Sequence, residues 1–458
     1  MAKLQLSVTN SSSKMSEPII ALSTAYQNAA LAVIRLSGSN VLDLTIKLIQ
    51  SETRLNPKVQ TLANLINLDG KLIDQVTIVY SKAPRSFTGE DMVEITCHGS
   101  MLIVEQIIEA YQGLGVRLAK AGEFSQKAYL AGKLDLIQAE AISEMIVSNN
   151  SLLLDQARDQ MLGGFSHEIS SVIQELADLT ARVNVGLDFS EEDLVDLTNT
   201  QIRSSLQSLI DQLEFDLISS QNLELLKNTP RVLIIGSPNA GKSSLFNQLL
   251  GINRAIVSDQ SGTTRDYLES QTTLNGMMVN LIDTAGILEF DQDSTDQIEL
   301  EGIRLAEQLI PTADLILHLR DHRLQPSASI QNLLKPYQSS TIEVISKLDQ
   351  VDQSVNSKSH ISISIKRPES IKQLKNQITA RLYPHLQKPS LITHRQVEII
   401  SKLKTKLIDV LDLVQADLDQ ELIVLELEQA IAICQELTGK SVSDQVLTAT
   451  FRQFCIGK

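Results

Sequence analysis

Nine residues at 236–244, GSPNAGKSS, constrain this chain more than any other stretch. They follow the apolar run Val232–Ile235 and satisfy G-x-x-x-x-G-K-[ST], a pattern that belongs between a buried strand and a helix. The glycines let the loop fold its amides around phosphate, and the helix that follows turns its positive end to the same point. In such a loop Lys242 would span the β and γ phosphates of a nucleotide and Ser243 would ligate Mg²⁺. The surrounding segment, to about Ile378, is therefore expected to be an α/β domain.

The motifs downstream come in the order a nucleoside triphosphatase needs. Gly262–Asp266 reads GTTRD, where a first switch must reach over the γ-phosphate, and either Thr263 or Thr264 can complete the Mg²⁺ shell. Asp283, Thr284, Ala285 and Gly286 form DTAG after the apolar strand Val279–Ile282. The aspartate can hold magnesium-bound water, and the Gly286 amide can sense the γ-phosphate. Ser346-Lys347-Leu348-Asp349 follows the expected strand Thr341–Ile345 and resembles the guanine-reading N-K-x-D, with serine in place of asparagine. Asp349 can accept from guanine N1 and the exocyclic amine, which adenine cannot match. Ser364, Ile365 and Lys366 stand where a backing S-A-K loop would support the base. The residue after DTAG is Ile287, which cannot orient water, so hydrolysis needs a group from elsewhere.

The rest of the chain bounds the setting. At 458 residues it should form two to four domains, and 43% hydrophobic with 21% charged residues is ordinary globular material. No run of apolar residues is long enough for a membrane span. Three cysteines, at 97, 434 and 455, suit a reducing compartment and lack zinc-site spacing, so a cytoplasmic location is expected. A formal charge of -15 works against indiscriminate binding of nucleic acid without excluding an RNA substrate. Seven carboxylates and no cation fall within 409–428, which reads as a solvated helix face.

Along the chain, residues 1–16 read as a flexible extension of an N-terminal module, 1–127, that mixes short Val/Ile runs such as Ala29–Leu36 and Val76–Tyr80 with turns. Residues 128–229 take on helical periodicity, 230–378 carry the phosphate loop, and 379–458 are helical again. The simplest arrangement packs the helices before and after the central domain together, with that domain inserted between them.

Beyond the nucleotide motifs, the chain carries FTGEDMVE (Phe87–Glu94), CHG (Cys97–Gly99), AGEF (Ala121–Phe124), GKLDLIQAEA (Gly132–Ala141), Asp188-Phe189, Gly439 and a terminal FCIGK (Phe454–Lys458). In order and wording these resemble the tRNA modification GTPase family called MnmE or TrmE, over nearly the whole length. The resemblance implies an α/β N-terminal domain that dimerises and binds tetrahydrofolate, and a discontinuous all-α domain carrying an inserted Ras-like P-loop G domain. It further implies a homodimer working with the flavoprotein MnmG (also called GidA) in a heterotetrameric or larger complex, FAD being held only by that partner. Together they would install an aminomethyl or carboxymethylaminomethyl group at C5 of the wobble uridine of tRNA, with no membrane involved. The one-carbon donor would be 5,10-methylenetetrahydrofolate, with 5-formyltetrahydrofolate as its analogue.

Residue by residue, the resemblance puts Arg35, Glu94, Lys133 and terminal Lys458 at the folate, and makes Cys455 a functional cysteine. Taken alone, each of those charges reads as a solvated one, and Cys455 as a small buried hydrophobe. At the G domain GTP would meet Asn239, Ala240, Gly241, Lys242, Ser243, Ser244, Ser258, Gly262, Thr263, Thr264, Asp283–Gly286, Ser346, Lys347, Asp349 and Ser364–Lys366. Mg²⁺ would take Ser243 and Thr264, and K⁺ would sit among Asn239, Ser258, Gln260 and Thr263. Glu299 would orient the catalytic water, with K⁺ supplying positive charge, which answers the difficulty raised by Ile287. Three departures stand out: Ser23–Ala30 (STAYQNAA) replaces a glycine-rich turn, the stretch 287–298 is longer than usual with Leu288 replacing an arginine, and Ser346 replaces asparagine. The main alternative is an Era-like or Der-like GTPase switch in ribosome assembly or translation, which would usually end in a basic RNA-binding module. An acidic helical remainder ending in FCIGK argues against it, and intact Lys242, Ser243, Thr264 and Asp283 argue against a scaffold with a decayed site.

Overall fold

The structure is a computed structural model, describing residues 16–50, 54–188, 199–237, 240–251, 268–283, 307–323, 328–347, 360–383, 388–416, 420–454 and 456–457. Of the expected site residues, Asn239, Ser258, Gln260, Gly262, Thr263, Thr264, Thr284, Ala285, Gly286, Glu299, Asp349, Cys455 and Lys458 lie outside these. The chain divides into two units. One comprises Met1–Ile146, Arg158–Leu213 and Thr393–Lys458, the other Val147–Ala157 and Glu214–Ile392.

The first unit opens with β1 (Ile19–Leu22), β2 (Leu31–Ser37), α1 (Val41–Lys47), β3 (Gln60–Ile66), β4 (Leu72–Ser81), β5 (Met92–His98), α2 (Met101–Gly113) and β6 (Arg117–Leu118). Its sheet runs β3-β4-β5-β2-β1-β6, antiparallel except where β6 joins β1. In β2 the alternation is plain: Ala32, Ile34 and Leu36 are buried while Val33 and Arg35 are half-buried on the other face. The buried face packs on α2, whose Val104, Ile107 and Tyr111 recur at helical spacing. The period-two pattern thus sends Arg35, with Glu94 directly opposite on β5, to the face away from that core.

A run of helices follows: α3 (Glu123–Leu130), α4 (Leu136–Val147), α5 (Ser151–Met161), α6 (Gly164–Asp188), α7 (Asn199–Ser219) and α8 (Leu223–Lys227). The second unit then supplies β7 (Arg231–Gly236), α9 (Lys242–Leu250), β8 (Leu268–Leu274), β9 (Met277–Asp283), β10 (Leu315–Asp321), α10 (Ala328–Leu334), β11 (Thr341–Ser346), β12 (Ile361–Ser362) and α11 (Pro368–Leu382). Its sheet order is β12-β11-β10-β7-β9-β8, parallel throughout except for β8. β7 is buried on both faces, as the middle of such a sheet requires. Val232 and Ile234 meet α9 and α11 on one side, and Leu233 and Ile235 meet Leu309, Ile310 and Leu334 on the other. From β7 the strand order runs outward both ways, to β9 and to β10. The crevice at the carboxyl end of β7 is therefore the place where a doubly wound sheet binds its ligand.

The chain returns to the first unit with α12 (His394–Gln415), α13 (Gln420–Thr438) and α14 (Asp444–Arg452). α13 packs along α6 and α12, so the helical domain is discontinuous in sequence. A buried polar cluster fixes its register. Arg395 donates to both carboxylate oxygens of Glu140, and also to the carbonyls of Glu436 and Leu437 at the end of α13. Gln396, fully buried, donates to Glu140 at 3.1 Å and to Gln160 at 3.0 Å. Among the described residues no helix is long and apolar enough to cross a membrane.

Candidate functional site

Gly236 ends β7 against the backbone of β10. A Cβ there would stand 2.1 Å from the Leu319 carbonyl oxygen, so only glycine lets the two strands approach this closely. Gly241 adopts φ 95°, in the left-handed region, and caps α9 at its start. Lys242 is the first residue of that helix and is buried; its Nζ donates to the carbonyls of Gly236 at 3.0 Å and Ser237 at 3.1 Å. Burial lowers the pKa of the ammonium, and the fully buried Asp283 at the end of β9 opposes that shift. Ser243 is half-buried and Ser244 exposed in the first turn of α9, while Ala240 is buried in the loop.

The parallel register brings the remaining described motifs to the same edge of the sheet. Gly236 pairs with Leu319, Asp283 with Ile234, and Ser346 with Asp321. The Ser346 hydroxyl donates to the Ala240 carbonyl at 2.8 Å and to that of Arg320 at 3.3 Å. It thereby ties the end of β11 to the phosphate loop, and its single proton is spent on backbone. Lys347 follows with φ 64°, and its Nζ donates to Asp321 Oδ2 at 2.9 Å. Ser364 is buried and begins a closed turn: its hydroxyl accepts from the Lys366 amide at 3.2 Å, and its carbonyl accepts from Arg367 at 3.0 Å. Ile365 at the tip of this turn is exposed. Ser243 and Asp283 offer hydroxyl and carboxylate oxygens beside Lys242, a donor chemistry that fits a hard divalent cation such as Mg²⁺.

In the first unit Arg35 Nε donates to Glu94 Oε1 at 2.7 Å across the β2–β5 pair, both side chains remaining partly exposed. Lys133 is exposed on the turn after α3. Its stem lies over Gly89, where a Cβ would come within 2.8 Å of Ala131 Cβ. The replaced turn at 23–30 is held by side chains: Tyr26 donates to Glu105 at 2.6 Å, and Asn28 accepts from the Met101 amide at 3.3 Å.

The terminal segment is seated on this same unit. Phe451 and Phe454 pack with Leu136 and Ala139, and the Phe451 carbonyl oxygen would stand 2.3 Å from a Cβ on Gly122 of AGEF. Gly457, at φ 86°, lies against Leu22 and Ser23, and its carbonyl accepts from the Ser23 hydroxyl at 3.2 Å. The two cysteines that are described are both buried, and burial pushes the Cys97 thiol up to about 11 and the Cys434 thiol to about 12. Neither is a nucleophile at neutral pH.

Two groups of polar residues escaped the sequence reading. Lys127 binds both oxygens of Glu90, at 3.0 and 2.9 Å, and Ser37 joins Glu90 to Thr88 beside the FTGE turn. Glu90 lies inside FTGEDMVE, but its partner thirty-seven residues on leaves no periodic signal. Asp321 also gave no motif, although a carboxylate closing a buried strand is a detectable sign.

Family models agree with this geometry in extent. The model described as GTP-binding protein TrmE N-terminus matches residues 18–133, and the MnmE helical domain matches residues 136–455. Proteins named tRNA modification GTPase MnmE are similar end to end. The one from Chlorobium chlorochromatii is 35% identical over 475 residues, covering 98% of this chain and 100% of that protein. Those of Aquifex aeolicus (32%, covering 97% of this chain and 100% of that protein) and Cytophaga hutchinsonii (34%, covering 96% and 98%) are comparable. The chain belongs to the MnmE family of tRNA modification GTPases.

Proposed function

We propose that this chain is the GTP-hydrolysing component of a system that modifies C5 of the wobble uridine in tRNA. The observation that carries the GTPase reading is the meeting of Lys242, Asp283 and Ser346 at the switch point of one parallel sheet. Lys242 Nζ donates to the carbonyls of Gly236 and Ser237. Triphosphate offers its ammonium stronger, charged acceptors, and the positive end of α9 adds to the attraction. Ser243 and Thr264 would hold Mg²⁺, which when bound neutralises charge developing on the phosphates. Asn239, Ser258, Gln260 and Thr263 are our assignment for K⁺, and Glu299 for positioning the attacking water. These rest on the resemblance of the motifs.

The domain reading carries forward in the same way: 1–127 for folate binding and dimerisation, 230–378 for GTP, with helical parts at 128–229 and 379–458. Arg35, Glu94, Lys133 and Lys458 are proposed to anchor a tetrahydrofolate, the one-carbon donor, with Cys455 at the modification chemistry. The seat of Gly457 on Leu22 and Ser23 supports this, because β1 pairs with β2, the strand that bears Arg35. The proposed assembly is a homodimer acting in the cytoplasm with a flavoprotein partner. GTP turnover by Lys242→Ala tests the first half of the reading, and mass spectrometry of tRNA wobble uridines with and without the gene tests the second.

A further inference from the structure

Asp321 closes β10 with its side chain 2% exposed, yet it serves cations that are themselves partly exposed. Oδ2 accepts from Lys347 at 2.9 Å and from Arg323 Nη2 at 2.6 Å. Oδ1 accepts from the Arg323 amide and Nε, both at 3.0 Å, and His322 Nδ1 lies 3.5 Å away. The Arg323 guanidinium holds the Asp321 carboxyl far below the usual carboxylate range, with Lys347 adding to the effect. Lys347 has a left-handed backbone, φ 64°, which a non-glycine residue keeps only when its surroundings enforce it. One neighbour in that segment is already occupied, since the Ser346 hydroxyl is committed to Ala240 and Arg320. Serine also has no amide to offer a base.

We propose that Asp321 is a positioning residue for the nucleobase, clamping the ammonium of Lys347 so that the lysine's alkyl stem is fixed as one wall of the guanine pocket. A lysine stem is flexible, and a stem tied at both backbone and ammonium presents its apolar methylenes without having to be ordered when the base arrives. With asparagine absent at 346, this clamp supplies order that the missing amide contact does not. The inference rests on reading Ser346–Asp349 as the base-reading segment.

Steady-state GTP turnover of the full-length protein tests it with Asp321→Asn, Lys347→Ala, Lys347→Met and the Asp321→Asn/Lys347→Ala double variant, each checked for folding by thermal melting. Asp321→Asn and Lys347→Met should each raise KM for GTP by about tenfold while kcat stays within about twofold, because only ground-state order is lost. The double variant should be no worse than Lys347→Ala alone, as residues acting through one contact are not additive. If Lys347→Ala raises KM and Asp321→Asn does not, the clamp is wrong and the base-reading segment stands. An additive double variant also overturns the clamp. Should Asp321→Asn fail to fold, a parent KM in Lys347→Met overturns it on its own. If Lys347→Ala keeps the parent KM, the assignment of the segment to the base is itself wrong.

Discussion

Lys242 is a buried ammonium whose nearest hydrogen-bond acceptors are neutral carbonyls, and its energetics follow from that. Lys242→Ala should lower GTP turnover by roughly two orders of magnitude or more, since it removes the positive charge held at the phosphate loop. Its titration gives a second, independent expectation. The folded-state pKa lies below the ordinary 10.5, so between those two values the unfolded chain binds more protons than the folded one. Stability contributed at this position therefore rises with pH across that window. In protein without added nucleotide the melting temperature of the parent should gain on that of Lys242→Met as pH rises toward the ordinary lysine value of 10.5. A constant difference would mean that the lysine is solvated rather than buried. At the same scale, restoring Ser346→Asn should tighten GDP binding by calorimetry if the amide contact matters. Equal or weaker binding would show that the hydroxyl tie to Ala240 is the better use of the position.

Elements are held here by contacts between residues far apart in sequence. Arg395 of α12 and Glu140 of α4, separated by 255 positions, form a buried pair that also satisfies the end of α13. Arg395→Ala leaves a buried carboxylate uncompensated and should cost about 3–5 kcal/mol, read as a large fall in melting temperature. A loss below about 1 kcal/mol would show that water replaces the guanidinium. Gly457→Ala drives a Cβ into the Leu22 carbonyl, 2.4 Å away, and should lift the tail from β1. Wobble-uridine modification should then fall while GTP turnover holds.

These contacts mark the limit of what was legible in the sequence. Strands with plain alternation or short apolar runs were readable: Ala29–Leu36 contains most of β2, and Thr341–Ile345 matches β11 to one residue. Helical periodicity marks 379–458 as helical without dividing it, and the structure shows α12 and α13 there as separate helices. The phosphate loop, being contiguous, was read directly. The Arg395–Glu140 and Lys127–Glu90 pairs and the Asp321 clamp depend on which strands and helices become neighbours, and no local pattern encodes that.

At the scale of the whole molecule, the proposed function has two chemistries share one chain: GTP turnover in the unit that contains β7–β12, and modification at the N-terminal sheet. The proposed K⁺ site makes turnover fall when Na⁺ replaces K⁺ at equal ionic strength, and equal rates in the two salts would remove K⁺ from the account. Cys455→Ser should leave GTP turnover nearly intact and abolish modification; a folded Cys455→Ser protein that modifies tRNA at the parent rate would end the catalytic role given to that cysteine. The coupling of the two chemistries is the central claim. Mass spectrometry of wobble uridines from cells lacking the gene, complemented with the parent or with Lys242→Ala, tests it most directly. The account predicts C5-modified uridine with the parent, and unmodified uridine both without the gene and with Lys242→Ala. Full modification with Lys242→Ala, or in the absence of the gene, would contradict it.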